Sequence, residues 1–254
     1  MSTPTPNEIM TVVAARKLGN CDVCFVGIGI PSTAANLARL THAPNIVLIY
    51  ESGPIGTKPH VLPLSIGDGE LAETADTVVS TPEIFSYWLQ GGRVDVGFLG
   101  AAQVDKFSNL NSTVIGDYNS PKVRLPGAGG APEIAALAKE TLIIIGHDKR
   151  KLVERVDFVT SPGYLEGGDS RAIAGIKGGP TAVITDLGVL VPDPVSKELF
   201  VSQLHPGVSR DQIQEATSWD LKFMDSVTET ELPTEEEVTA LRDLIKRTEE
   251  AHAS

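Results

Sequence analysis

Residues 45–56 read NIVLIYESGPIG, an apolar run over 46–50 that stops on a carboxylate at Glu51. Ile46, Val47, Leu48, Ile49 and Tyr50 are aliphatic or aromatic and show no polar face. Such a run suits a short strand buried in a parallel sheet. Ser52, Gly53 and Pro54 then stop strand and helix alike. A carboxylate is thus delivered to the carboxyl end of a buried strand and followed at once by a tight turn, at the edge where open α/β sheets bind their ligands. A charge comes close to a core when it is paired or has chemistry to perform. A glutamate that only caps the strand end is the other reading of the same residues.

The rest of the composition sets limits. The chain has 254 residues, 41% of them hydrophobic, enough apolar material for a core of its own. No linker-like stretch divides it, so one domain over 1–254 is expected. Asp and Glu number 33 against 21 Lys and Arg, for a net charge of −12. That argues against a nucleic-acid or anionic membrane surface, and any anionic ligand must be held by local features or by a partner's basic groups. No signal-peptide pattern or membrane-spanning apolar run is present, and with two cysteines there is no disulfide framework, so the cytosol is the expected address. Cys21-Asp22-Val23-Cys24 has CxxC spacing but leads into a strand rather than a helix, and the five histidines offer no second pair for zinc. Both cysteines read as structural and no metal site is expected.

Along the chain, a helix is predicted over 7–18, with Met10, Val13, Ala14 and Leu18 inward, Lys17 at its edge and Gly19-Asn20 ending it. A strand over 23–27, a turn at Gly29-Ile30-Pro31-Ser32 and a helix over 33–41 lead to the Glu51 strand. This is the opening of a parallel sheet with right-handed crossovers. Residues 57–77 are rich in turn formers and read as a long functional loop. Thr81-Pro82-Glu83 opens a helix closed by Gly91-Gly92. Strands are predicted over 94–99, 142–146, 156–160, 181–185, 187–191 and 199–203, the last two as a hairpin. Ser209 starts a short helix, and Thr234 with Glu237 forms a capping box for the last one. The fold class that emerges is α/β, an open, mostly parallel sheet with helices on both faces.

Three further stretches bear on chemistry. Gly27-Ile28-Gly29, with Glu51 closing the next strand, has the outline of a dinucleotide fingerprint, but position 32 is Ser instead of Gly and Pro31 has no N–H to offer a phosphate. A nicotinamide-dependent oxidoreductase stays as an alternative. The segment Gly127-Ala128-Gly129-Gly130 precedes a helix and can turn backbone N–H groups toward an anion or a developing oxyanion. It is equally compatible with a plain strand-to-helix turn. His147-Asp148-Lys149-Arg150-Lys151 is a basic turn, either simply solvated or in contact with phosphate groups.

Val26-Gly27-Ile28-Gly29-Ile30-Pro31, Glu51-Ser52-Gly53, Ser65-Ile66-Gly67-Asp68, Gly100-Ala101-Ala102-Gln103-Val104-Asp105, Asn111-Ser112-Thr113, Gly116-Asp117-Tyr118 and Gly127-Ala128-Gly129-Gly130-Ala131 occur in the order seen in family I CoA-transferases. Val159-Thr160-Ser161-Pro162-Gly163 and Val183-Ile184-Thr185-Asp186 match as well. The chain resembles their B (beta) subunit, most closely the glutaconate CoA-transferase type, since three-oxoacid relatives carry Glu-Asn-Gly where this chain has Glu51-Ser52-Gly53.

The resemblance implies the CoA-transferase (NagB/RpiA-like) fold and a partner A (alpha) subunit that helps to form the site. It implies coenzyme A as a substrate, with no permanently bound cofactor. Glu51 becomes the nucleophile that forms a glutamyl-CoA thioester in a ping-pong reaction between an acyl-CoA and a short-chain or dicarboxylic acid. Gly129 and Gly130 become oxyanion donors, with Gly127, Ala128 and Gln103 beside them at the oxyanion and CoA site. Ser52, Gly53 and Gly29 line the substrate loop. Some relatives on this fold lack the glutamate and hydrolyse or decarboxylate CoA-bound acids, so a carbon–carbon bond hydrolase or decarboxylase is the alternative within the resemblance.

Overall fold

Contiguous apolar runs become the inner strands, as their two-sided burial requires. The computed structural model describes residues 3–20 and 22–253, which pack as two compact units. One takes the chain up to Phe98 together with the segment from Leu232 onward, and the other is Leu99–Glu231.

In the first unit the elements are α1 (Pro6–Ala15), β1 (Val23–Phe25), α2 (Ile30–Leu40), β2 (Val47–Ile49), β3 (Pro54–Ile55), α3 (Gly69–Glu73), β4 (Thr77–Val78), α4 (Thr81–Glu83), a π-helical turn Ile84–Leu89, β5 (Val96–Leu99) and a C-terminal helix Glu235–His252. β1 lies between β2 and β5 and is parallel to both, with Cys24 opposite Leu48 and Val96. β3 and β4 extend this sheet antiparallel. Pro54 and Ile55 therefore turn the chain back as a strand, where turn chemistry alone predicts only a stop. The loop over 57–77 also holds structure of its own, because Asp68 caps α3 through the Glu70 amide.

α1 starts earlier and ends sooner than its periodicity predicts. Thr5 and Glu8 form a capping box, and Arg16 closes the helix. The Gly19 amide donates to Asp22 instead of ending the helix, and Lys17 is exposed. Arg16 donates to both oxygens of Glu237 at 2.7 and 2.6 Å, and Arg242 to both oxygens of Glu8 at 2.6 and 3.0 Å. These bidentate pairs fasten α1 to the C-terminal helix. The Arg242 hydrogen bonds hold the pKa of the Glu8 carboxyl down at about 2. Val238, Leu241 and Leu244 form the buried stripe of the C-terminal helix, behind the Thr234–Glu237 capping box. Cys24 is a buried free thiol whose pKa burial pushes up, an inert group. Cys21 lies outside the described residues.

The second unit contains β6 (Gln103–Asp105), β7 (Leu110–Asn111), β8 (Val114–Gly116), β9 (Pro121–Arg124), α5 (Ala131–Leu137), β10 (Glu140–Ile144), β11 (Leu152–Val153), α6 (Ser170–Ile173), β12 (Pro180–Ile184), β13 (Gly188–Pro192), β14 (Leu199–Leu204), α7 (Arg210–Glu215) and β15 (Lys222–Glu229). β10 and β12 are parallel, β12, β13 and β14 run antiparallel, and β15 is parallel to β14. Smaller sheets join β11, β6 and β7, and pair β8 with β9. Residues 156–160 do not form the expected strand. The Thr160 hydroxyl serves loop contacts instead, accepting from the Ser112 amide at 3.0 Å and sharing a 2.7 Å hydrogen bond with Thr113, and the backbone meets β7 at Leu110, whose carbonyl accepts from the Thr160 and Ser161 amides at 2.8 and 3.1 Å.

Ser108 sits in the turn between β6 and β7 with φ 62° and a buried hydroxyl that has no hydrogen-bond partner. A left-handed non-glycine residue and an orphaned hydroxyl each cost about 1 kcal/mol or more. Ser108→Gly removes both, against a glycine entropy cost of about 0.5–1 kcal/mol. It is expected to raise the urea midpoint.

Two buried histidines share Thr185. His147 lies between the Thr185 and Thr217 hydroxyls at 3.0 and 2.8 Å, and His205 between the Thr230 hydroxyl and the Thr185 carbonyl at 2.9 and 2.8 Å. Burial lowers both pKa values, that of His147 from 6.5 to about 4. Between those two pH values the unfolded chain takes up protons that the folded chain refuses. Stability is therefore expected to fall with pH through this window, by about 3 kcal/mol from His147 alone. Urea titrations at successive pH values would show the slope, and His147→Gln should flatten it.

Candidate functional site

Glu51 stands at the tip of the hairpin that joins β2 to β3. The Gly53 amide donates to the Tyr50 carbonyl at 3.0 Å and the Tyr50 amide to the Pro54 carbonyl at 3.1 Å, closing a tight turn that carries Glu51 and Ser52. Gly53 adopts φ 118°, and a Cβ there would come within 2.0 Å of the Val79 carbonyl oxygen. Only glycine fits, because both the dihedral and the close approach exclude a side chain. Gly53→Ala should cost about 2 kcal/mol or more and displace Glu51. Thermal unfolding together with kcat would report both effects.

The base of the hairpin is fixed from below. Tyr50 is fully buried and shares a 2.9 Å hydrogen bond with Ser32 of α2. The Ser32 carbonyl in turn accepts from Asn36 at 3.0 Å. Burial pushes the Tyr50 hydroxyl up to about 12, so it stays protonated. The serine that breaks the dinucleotide fingerprint is thus a structural partner of the residue before Glu51. Gly29 begins α2 with φ 81° and leaves open space around its Cα. It follows β1 as Glu51 follows β2, and these strands are adjacent and parallel, so both residues lie at one sheet edge.

The Glu51 carboxylate is half-buried and makes no hydrogen bond or ion pair among the described residues. The neighbouring Ser52 hydroxyl is buried and also unpartnered. A part-buried carboxylate held by a rigid turn and left unneutralised is available as a nucleophile or a base.

In the second unit the segment 127–130 leads into α5. The Gly127 amide is used by the Ser112 carbonyl at 2.9 Å, and the Ser112 hydroxyl donates back to the Gly127 carbonyl at 2.8 Å. The amides of Ala128, Gly129 and Gly130 have no acceptor among the described residues. Gly127 and Gly129 take φ 106° and 51°. Anchored at one end, the segment leaves its next three N–H groups without an acceptor, and unpaired backbone donors in a row are the kind of group that can bind an oxygen carrying negative charge.

Gln103 is buried on β6. Its carbonyl oxygen accepts from Asn111 at 2.7 Å and from the Asp157 amide at 3.1 Å, and its side-chain N–H₂ donates to Asp157 at 3.2 Å. Asn111 also donates to the Val114 carbonyl. Gln103 and Asn111 thereby connect β6 and β7 to the loop at Asp157. Asp105 accepts from the Phe107 and Asn109 amides and from the Asn109 side chain, each at 3.0 Å. Its buried carboxyl, raised by desolvation, closes this turn.

One residue with a large positional role escaped sequence reasoning. Arg171 is 3% exposed and donates to five backbone carbonyls: Gly178, Pro162, Gly163, Ala135 and Lys177. Ala135 belongs to α5, directly after the glycine segment. No pattern marks such a residue in the sequence, where an arginine beside Gly, Asp and Ser reads as surface.

Among the described residues no group of three or more His, Cys, Asp or Glu is placed to hold a metal ion, and no helix is long and apolar enough to cross a membrane.

Residues 7–216 match the family model for coenzyme A transferase. The chain is 65% identical over 253 residues to the beta chain of 3-oxoadipate CoA-transferase from Pseudomonas knackmussii, covering 99% of this chain and 97% of that protein. It is 34% identical over 248 residues to the beta chain of glutaconate CoA-transferase from Acidaminococcus fermentans, covering 95% of this chain and 92% of that one. The crystal structure of glutaconate coenzyme A-transferase from the same organism superposes with a TM-score of 0.89 at 32% identity, over 95% of each chain.

Proposed function

The chain belongs to the coenzyme A transferase family and has its α/β fold, and on that premise we propose that it is the beta subunit of a heteromeric CoA-transferase, completed by an alpha subunit and acting on a 3-oxo dicarboxylic acid of the 3-oxoadipate kind. The relative at 65% identity supports the substrate class. The observation that carries the chemistry is the unpaired, half-buried Glu51 carboxylate on its rigid turn.

Glu51 attacks the thioester carbonyl of the donor acyl-CoA, forming an acyl-glutamyl anhydride and releasing CoA thiolate. The thiolate attacks the glutamyl carbonyl, so the donor acid leaves as its carboxylate and Glu51 carries CoA as a thioester. The acceptor carboxylate then attacks that thioester and forms a second anhydride. The thiolate takes the acceptor's acyl carbon, which restores Glu51. Each step exchanges one oxygen or sulfur nucleophile for another at an acyl carbon and obliges no proton to move, so no general base is needed. The Gly129 and Gly130 amides are the donors to the developing oxyanion, with Ala128 beside them. Gln103 and Gly127 hold that segment in register, and the second amide hydrogen of Gln103 is available to the thioester oxygen. Ser52, Gly53 and Gly29 shape the space at the hairpin tip.

The test is capture of the intermediate. The complex with its alpha subunit, incubated with the acyl-CoA of the acid and reduced with borohydride, should yield a peptide whose Glu51 has become a primary alcohol. No change at Glu51, together with free acid and CoA released in the absence of an acceptor acid, would replace the transferase by a hydrolase.

A further inference from the structure

The unpaired N–H groups of Ala128, Gly129 and Gly130 belong to three successive peptide planes, and different neighbours fix the first two. A trans peptide unit is planar, with its C=O and N–H pointing in opposite directions. Whatever holds the carbonyl of one residue therefore aims the amide of the next. The Ala128 carbonyl accepts from the Ala131 amide at 3.1 Å, in the turn that enters α5, so the chain's own backbone aims the Gly129 N–H. The Gly127 carbonyl is held from outside the segment, where it accepts from the Ser112 hydroxyl at 2.8 Å. That bond aims the Ala128 N–H. Glycine has no side chain to restrict the plane, and at Gly127, with φ 106°, even an added Cβ would meet nothing within 4 Å.

Ser112 is itself braced. Its amide donates to the Thr160 hydroxyl at 3.0 Å, and its carbonyl takes the Gly127 amide at 2.9 Å. Beside it, the Thr113 hydroxyl shares a 2.7 Å hydrogen bond with Thr160, and the Thr113 carbonyl accepts from the Leu125 amide at 3.0 Å. Backbone bonds from residues 112 and 113 thus hold the approach to Gly127 whatever side chain stands at 112. Of the Ser112 groups, the hydroxyl is the one that reaches the Gly127 carbonyl.

We propose that Ser112 is a positioning residue for acyl transfer: its hydroxyl locks the 127–128 peptide plane so that the Ala128 N–H joins the donors to the developing oxyanion. The inference rests on the transferase reading and adds to it a third donor and the side chain that aims it. Without the hydroxyl the plane is free to flip, which presents the Gly127 carbonyl oxygen where an N–H is needed. Negative charge on the substrate oxygen grows only as the tetrahedral species forms. The loss therefore falls on the rate of the chemical step and leaves ground-state binding alone.

The test is the single-turnover rate at which the alpha–beta complex forms the Glu51 thioester, followed by rapid quenching and the mass of the Glu51 peptide. Calorimetric titration with coenzyme A alone is measured beside it. Ser112→Ala should slow thioester formation by about tenfold to a hundredfold, up to the usual cost of removing one oxyanion donor, with coenzyme A affinity within about twofold. Threonine and valine share one shape and differ in the hydroxyl, and Ser112 is half-buried, so an added methyl group can turn toward solvent. Ser112→Thr should recover the rate to within about threefold of the unsubstituted complex, while Ser112→Val falls with the alanine variant. Equal rates for the threonine and valine variants overturn the proposal, as does an alanine variant that forms the thioester at the parental rate. An alanine variant that loses coenzyme A affinity instead of rate, or that fails to assemble with the alpha subunit, makes Ser112 a structural residue and overturns it too. If the unsubstituted complex binds coenzyme A yet never forms a thioester at Glu51, the transferase reading falls and takes this proposal with it.

Discussion

Glu51→Gln should lower kcat of the assembled enzyme by about four orders of magnitude or more, the usual cost of removing a nucleophile that no neighbour can replace. Its stability should stay close to that of the unsubstituted protein, because Glu51 makes no hydrogen bond or ion pair that the substitution would break. This combination separates chemistry from folding. A glutamate that held the strand end in place would show the reverse, a lowered unfolding midpoint with partial activity. Glu51→Asp keeps the charge but withdraws it by one methylene from a turn that cannot follow, since Gly53 is wedged against Val79. A loss of about a hundredfold is expected for that misplacement, against the far larger loss for the amide. Steady-state kinetics beside urea unfolding would decide both. Glu51→Gln with activity within tenfold of the parent would remove the covalent mechanism.

Arg171→Ala should be the most destabilising substitution away from the turn at Glu51, by about 3–5 kcal/mol. The guanidinium is buried without a carboxylate, and its charge is spread over five carbonyl oxygens drawn from three separate stretches of chain. Desolvation lowers its pKa, but the carbonyl dipoles supply what water would have supplied. Removing the side chain leaves those oxygens buried and unpaired as well as opening a cavity. Arg171→Lys should recover little, because three donors on one nitrogen cannot span positions that a planar fork reaches. Urea unfolding reads the effect directly. A loss under 1 kcal/mol for the alanine variant would show that these carbonyls find other partners.

The legible parts of this chain were those whose signal is local. Short apolar runs fixed β1, β2, β10 and β12, since a strand buried on both faces leaves no polar residues to interrupt it. The capping boxes at Ser209 and Thr234 appeared where their spacing put them. The carboxylate after the run at 46–50 was found at a strand end, on the turn that Gly53 demands. Strands of two or three residues, such as β6, β7 and β11, are too short to show a period, so the small sheet that holds Gln103 and Asn111 went unread. The stretch 156–160 misled through composition: its β-branched residues look like a strand, yet the Thr160 hydroxyl is spent on a loop amide. Arg171 and Ser32 were invisible for a different reason. Each derives its role from partners distant in sequence or from a hydroxyl buried in the neighbouring strand end, and no single-chain pattern records such pairings.

The first compact unit is written in two pieces separated by the whole of the second. On a ribosome, α1 emerges more than two hundred positions before the helix that supplies Glu237 and Arg242. Until residues 235–252 have been made, the bidentate partners that Arg16 and Glu8 find in that helix do not exist. Residues 99–231 leave the exit tunnel as one uninterrupted stretch and can condense first. Emergence of the segment from Leu232 onward is then the event that completes the first unit and supplies Glu237 and Arg242 to α1.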